Sequence, residues 1–284
     1  MRPRINVKET AMAAVFLAPS LIVFVWFAFL PFLRIMNWGL YETTRGGAEH
    51  ERVGLSHYGD VLGSDDFRRA LWHSVQFVIY TVPAGLVVGV LLAVAANRKL
   101  RGIKIFHTIF STTVASSAAV TAVIFLFLLN PQFGAFKVNW INSETMAMPA
   151  LALVGIWQNA GLAFIIVLAG LQSVPEEVIE ASVLDGYGAV RRLLRVTLPL
   201  ISPVLFFLTI ILVVFGLQVY APMDIITRGG PNGATRTLLF DIFDSRDPSA
   251  ITTASVTTVG MFVVTLVVTL IQFALLEKRV HYGN

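Results

Sequence analysis

Enzymatic chemistry needs nucleophiles, acids, bases or metal ligands held together, and this sequence keeps such residues apart. Its 284 residues include no cysteine, which removes disulfides, iron–sulfur clusters, thiolate zinc sites and cysteine nucleophiles. There is no H-E-x-x-H, no G-x-S-x-G and no G-x-x-x-x-G-K-[ST], hence no helical zinc site, hydrolase elbow or phosphate-cradling loop to read from it. Asp241, Asp244 and Asp247 come nearest to a metal cluster. Their i, i+3, i+6 spacing fits a solvated helix face, and no metal is expected there.

The remaining chemical residues are neutral and lie inside long apolar stretches. Thr113, Ser117 and Thr121, at i, i+4, i+8, fall on one helix face. Gln158 and Asn159 follow Trp157, and Gln218 and Tyr220 precede Pro222. Serine and threonine in such places most often hydrogen-bond between helices. The bulkier amides are costlier to leave unpaired, and one of Gln158 and Asn159 is expected to face a polar path through the bundle. His73 and His107 sit near the ends of apolar stretches, where a packed or interfacial role is expected.

The apolar stretches that must position these residues dominate the composition. Hydrophobic residues make up 56% of the chain, charged residues only 13%, and the mean hydropathy is +0.75. A soluble domain carries about 25% charged residues, so this is an all-α polytopic membrane protein. Six stretches reach the roughly 20 apolar residues of a span: about 11–33, 71–96, 105–129, 148–171, 200–222 and 252–276. All 17 Asp and Glu, and all 21 Lys and Arg, fall outside them. Pro19, Pro83 and Pro222 are expected to kink helices or mark their ends. Twelve of the basic residues, among them Arg98, Lys99, Arg101 and Lys104 in one short loop, lie on the face shared by both termini. The excess of Lys and Arg on cytoplasmic loops puts that face, and both termini, in the cytoplasm. The net charge of +4 is too small to argue for nucleic acid.

One cytoplasmic loop, 173–199, is patterned rather than structureless. Ser173 with Glu176 reads as a capping box, with Pro175 in the first turn. Val174, Val178, Ala181 and Leu184 form an apolar set at helical spacing. Asp185-Gly186 supplies a stop. A second, basic helix is expected from about Gly188, carrying Arg191, Arg192 and Arg195, with Pro199 at the start of span five. Such an element suits a lever that docks on a partner through its small residues Ala181 and Ser182. A helix lying on lipid is the other reading, and periodicity leaves both open.

The run Glu180-Ala181-Ser182, three residues, Gly186, nine residues, Val196, one residue, Leu198-Pro199 resembles the EAA motif of ABC importer permeases. Ser182 stands for the second alanine, Val196 for the usual isoleucine, and Tyr187 for a small residue often found after the glycine. Ala18-Pro19-Ser20, Gly54-Leu55-Ser56-His57-Tyr58 with Phe67, and Trp157-Gln158-Asn159 are similar to permeases of carbohydrate importers. So are Asn130-Pro131 with Gly134, and Thr227-Arg228-Gly229-Gly230-Pro231 with Thr235 and Thr237. The Asn-Pro-x-x-Gly and Gly-Gly-Pro segments and the ending Glu277-Lys278-Arg279-Val280 are most like those of permeases for glycerol-3-phosphate.

The resemblance implies a single type I permease domain over 1–284. It would form half of a solute pathway for a sugar, glycerol-3-phosphate or a glycerophosphodiester. Its partners would be a second homologous permease, two cytoplasmic ATPase subunits, an extracytoplasmic solute-binding protein and the lipid bilayer, with no nucleic acid. Glu180, Ala181, Ser182, Asp185 and Gly186 would form the coupling helix. No cofactor would be bound by this chain, ATP and magnesium belonging to the ATPase. The solute path would use Gln158, Asn159, Thr113, Ser117, Gln218 and Tyr220. Gly229, Gly230 and Pro231 would meet the binding protein, against the plainer reading of an ordinary turn. The location implied is the bacterial inner membrane. An ion-coupled carrier is disfavoured by spans free of Asp, Glu, Lys and Arg. A membrane enzyme would need rim carboxylates or histidine clusters.

Overall fold

A computed structural model of the chain describes residues 7–43, 50–97, 102–135, 137–244 and 250–276. Arg2, Arg4, Arg98, Lys99, Arg101, Asp247 and Glu277–Val280 lie outside them. Within hydrocarbon every backbone N–H and C=O must be satisfied inside its own segment, so the apolar stretches form helices. Among the described residues four are long and apolar enough to cross a membrane: Ala14–Trp38, Asp65–Ala96, Ala147–Gln172 and Ile251–Leu275. They correspond to the spans expected at 11–33, 71–96, 148–171 and 252–276. Two bent pairs raise the number to six if each pair is one crossing.

The chain falls into two compact units, one drawn from 1–64 and 245–260, the other from 65–244 and 261–284. In the first, α1 (Val7–Phe24) runs through a π-helical turn at Val25–Phe29 into α2 (Leu30–Trp38). Pro19 sits inside α1 without ending it. None of the apolar window of Ala14–Trp38 is buried, so its surface is left for lipid or another chain. A two-stranded hairpin follows, β1 (Tyr41–Thr43) pairing antiparallel with β2 (His50–Arg52). Next comes α3 (Leu55–Leu62). His57 Nδ1 lies 3.0 Å from the Gly39 carbonyl and the Tyr58 hydroxyl donates to the Met36 carbonyl, which ties α3 to the end of α2.

The second unit is organised by α4 (Asp65–Ala96) and α7 (Ala147–Gln172). Small residues let them approach. A Cβ on Gly89 would stand 2.6 Å from the Ala163 Cβ, so only glycine fits. Lipid tails are as apolar as the side chains, so close packing of this kind holds such helices together. α11 (Ser202–Leu217) joins them, and Ala93, Phe164, Val167, Leu208 and Leu212 form the shared core. More than half of the apolar window of α7 is buried. Apolar residues lie all round this helix, so it shows no apolar stripe.

The stretch expected as a span at 105–129 is bent, and the one expected at 200–222 begins at a bend. In the first, α5 (Ile103–Thr112) and a 3-10 turn at Thr113–Ala115 are bent by 104° from α6 (Ala118–Leu128). The face Thr113, Ser117, Thr121 therefore does not form. The hydroxyl residues here offer the backbone other partners. Thr113 Oγ1 donates to the Phe110 carbonyl, Ser116 is extended, and Ser117 Oγ caps α6 by accepting from the Val120 N–H. In the second, α9 (Ala189–Arg192), a π turn at Leu193–Thr197 and α10 (Leu198–Leu200) are bent by 74° from α11. The break falls at Ile201 rather than Pro199. Pro203 has no N–H to give the Pro199 carbonyl, and its ring crowds that group. The π turn at Met223–Thr227 and α12 (Leu238–Asp244) precede α13 (Ile251–Leu276).

Candidate functional site

A cavity of about 470 Å³ opens where the two broken stretches meet α7. One wall is the kink at Thr113–Ser116. The other is the end of α11, where Gln218 leaves helical geometry and the chain runs through Val219 and Tyr220 to Pro222. Interrupted helices at membrane depth are tolerated where they line a cavity. Five of the six residues expected on a polar path, Thr113, Gln158, Asn159, Gln218 and Tyr220, line this one. Ser117 does not, because its hydroxyl caps α6. Ser116 and Phe77, which the sequence reading passed over, also line it. Thr121 is buried 3.1 Å from the Ser116 hydroxyl.

Asn159 and Tyr220 are held in place by neighbouring groups. Asn159 Nδ2 donates to the Gly155 carbonyl, 3.0 Å away. The Tyr220 ring is fixed by Phe243 at 4.9 Å and by stacking on Phe240 at 6.4 Å. No Asp, Glu, Lys, Arg or His lines the cavity. Amides, hydroxyls and a phenol can exchange hydrogen bonds with a solute's hydroxyls. The two histidines near span ends are structural: His73 Nδ1 meets the Arg236 carbonyl at 3.0 Å and His107 Nε2 the Ala96 carbonyl at 3.2 Å.

The patterned loop folds as α8 (Glu176–Leu184) followed by α9. Ser173 is not its cap. Its Oγ donates to the Gly170 carbonyl and closes α7. Pro175 takes the N-cap position instead, with extended backbone, and it disfavours helical geometry at Val174. Glu176 and Glu177 occupy the first turn, where the helix dipole favours acids. The stop is as expected. Gly186 has φ +78°, its N–H donates to Val183, and the Tyr187 N–H donates to Ser182, a Schellman closure.

The facing of α8 differs from the expected one. Ser182 is buried and its hydroxyl donates to the Ile179 carbonyl, so it looks inward with Val178 and Ile179. Ala181 and Leu184, expected in the apolar set with Val174 and Val178, are exposed, Leu184 at 88%. Glu177, Glu180, Ala181, Leu184, Asp185 and Gly186 thus make the outward surface.

On the far side of the second unit the Gly-Gly-Pro segment is folded inward. Gly229 is buried with φ +77°, and a Cβ there would meet the Phe240 ring at 2.7 Å. Thr235 Oγ1 donates to the Gly230 carbonyl and lies 2.7 Å from Thr227 Oγ1. Pro231 is half-buried, and the exposed tip is Asn232, whose amide donates to Glu144. Arg236 bridges Asp241 at 2.7 Å and Asp244 at 3.0 Å. Burial pushes the Asp241 carboxyl above its ordinary range, opposed by the Arg236 charge. Among the described residues no group of acids and histidines is arranged to hold a metal.

A family model described as "Binding-protein-dependent transport system inner membrane component" matches residues 85–282. The chain is similar to the sn-glycerol-3-phosphate transport system permease protein UgpA of Escherichia coli (strain UTI89 / UPEC), with 31% identity over 93% of this chain and 94% of that one. The UgpA of Yersinia enterocolitica is 32% identical over 83% of this chain and 84% of its own. Among solved structures, a chain of a bacterial alginate ABC transporter in complex with an alginate pentasaccharide-bound periplasmic protein superposes with a TM-score of 0.79. Identity there is 20%, and 94% of each chain is covered.

Proposed function

The chain belongs to the family of binding-protein-dependent transport system inner membrane components, and we propose that it passes the stroke of a separate ATPase into half of a solute pathway. It is the transmembrane permease subunit of an ABC importer of the sugar and glycerol-3-phosphate class, set in the inner membrane, and it is not itself a catalyst. A cytoplasmic ATPase and a solute-binding protein are its partners. The fuller assembly is a second homologous permease and two ATPase subunits holding ATP and magnesium, with both termini and α8 in the cytoplasm. The weighting of Lys and Arg toward that face supports this orientation. The neutral lining of the 470 Å³ cavity supports a pathway for a hydroxyl-rich solute. The alternatives of an ion-coupled carrier and a membrane enzyme find no support in that lining.

The observation that carries the coupling role is the outward face of α8. Glu180 and Ala181 stand exposed beside Leu184, and the helix is closed by Gly186 before the chain returns to α9 and α11. An acidic and apolar surface of this kind fits a groove lined by basic and apolar side chains. Asn232 and its neighbours at the tip of the Gly-Gly-Pro turn suit contact with the binding protein, while Gly229 shapes the turn from inside.

The test is ATP hydrolysis by the reconstituted assembly with and without binding protein and candidate solutes, comparing the wild type with Glu180→Lys. Placing a like charge against a basic groove costs at least about tenfold in solute-stimulated hydrolysis. Stimulation that survives the substitution unchanged would remove α8 from the coupling path. A wild-type chain that recruits no ATPase would overturn the importer reading.

A further inference from the structure

α8 reaches α11 through what connects the two. Its own packing is light: Ser182 is its one buried residue, and beneath it lies a cavity of about 650 Å³ lined by Glu176, Ile179 and Arg192 among others. The covalent route is a joint of three residues, Gly186-Tyr187-Gly188. Gly186 is left-handed and Gly188 extended, and a Cβ on either would meet nothing within 4 Å. Two glycines in open space make a soft joint, since neither has a side chain to restrict or brace its backbone.

The residue between them is braced at both ends. The Tyr187 N–H donates to the Ser182 carbonyl in the last turn of α8 at 3.0 Å. Its ring lies under the guanidinium of Arg191, 4.7 Å from the ring centroid. Arg191 belongs to α9, which continues through the π turn and α10 to Ile201, a residue 1% exposed at the head of α11. A cation over an aromatic face is attracted by the ring quadrupole.

We propose that Tyr187 is a positioning residue for coupling: by pairing with Arg191 across the Gly-Tyr-Gly joint it stiffens the link, so that displacement of α8 reaches α11 instead of being absorbed. This rests on the reading of α8 as the coupling helix. The contact uses the ring face and not the phenol oxygen, so phenylalanine replaces tyrosine and alanine does not. Lysine replaces arginine only in part, because it lacks the flat guanidinium that stacks on a ring.

The experiment measures ATP hydrolysed per solute imported by the complete assembly in liposomes, for wild type, Tyr187→Ala, Tyr187→Phe and Arg191→Met. Loss of the contact raises that ratio by about two- to fivefold in the alanine and methionine variants, the factor expected of an exposed cation–π pair, and leaves Tyr187→Phe at the wild-type value. Should Tyr187→Ala fail to assemble, Arg191→Met reads the same contact from the other side. An unchanged ratio in Arg191→Met, or Tyr187→Phe behaving as Tyr187→Ala, overturns the clamp while leaving solute-stimulated hydrolysis intact. Wild-type hydrolysis indifferent to solute counts against the importer reading, and the clamp falls with it.

Discussion

Gln158 and Asn159 are neighbours in sequence and line the same cavity, yet they do different work. The Asn159 amide is committed to the Gly155 carbonyl of its own helix. Gln158 has no hydrogen-bond partner among the described residues and lines the cavity. Truncation should separate the two. Gln158→Ala removes hydrogen bonds that only a solute makes, each worth about 1 kcal/mol net. That predicts a solute concentration for half-maximal transport raised about fivefold, with basal hydrolysis and thermal stability unchanged. Asn159→Ala also removes the side-chain bond that supplements the helical N–H on the Gly155 carbonyl, so it should lower the melting temperature of the assembly as well. Equal melting temperatures together with equal transport for the two variants would remove the amide pair from the path.

At the scale of elements, what could be read in the sequence depended on how strongly one physical term dominated. Long apolar runs with every charge outside them admit one solution in hydrocarbon, and α4, α7 and α13 lie where the runs placed them. The kink at Ser116 was hidden because hydropathy cannot see hydroxyls competing for backbone bonds. The facing of α8 was hidden for another reason. With Val178, Ile179, Val183 and Leu184 the helix has apolar residues on several sides, and only its neighbours decide which one is covered. Ser173 misled because two helix ends lay within its reach and Pro175 settled which one it served. The stop at Gly186 was legible, since a positive φ singles out glycine. It also makes a prediction. Nothing surrounds a Cβ at Gly186, so Gly186→Ala pays only for left-handed backbone, about 1–2 kcal/mol. Amide hydrogen exchange at residues 186 and 187, whose N–H groups close the Schellman motif, should quicken by about 5- to 30-fold, with the core of α7 unaffected. Unaltered exchange there would mean that α8 does not end by this closure in the assembly.

The whole molecule poses a question about crossings that composition alone leaves open. Among the described residues four helices pass as spans by length and composition, and two bent pairs become the fifth and sixth only if each pair is one crossing. α11 is 16 residues long, about 24 Å at the α-helical rise, short of a hydrocarbon core of about 30 Å. It therefore needs the chain on either side to complete a crossing. Charge distribution favours six. Arg98, Lys99 and Arg101 lie before the first bent pair with Lys104 in its first turn, Arg191, Arg192 and Arg195 lie within the second, and the acidic residues Asp241 and Asp244 lie beyond it. Six crossings put 97–104 and 130–147 on opposite sides of the membrane, whereas four put them on the same side. Reporter fusions truncated after Asn97 and after Ser143 decide the matter with an enzyme that works only outside the cytoplasm. Positive-inside predicts an inactive reporter at Asn97, an active one at Ser143 and an inactive one at Gly283. Matching activity at the first two sites would make the bent pair a re-entrant element, and the cavity at its kink would then open from one face of the membrane only.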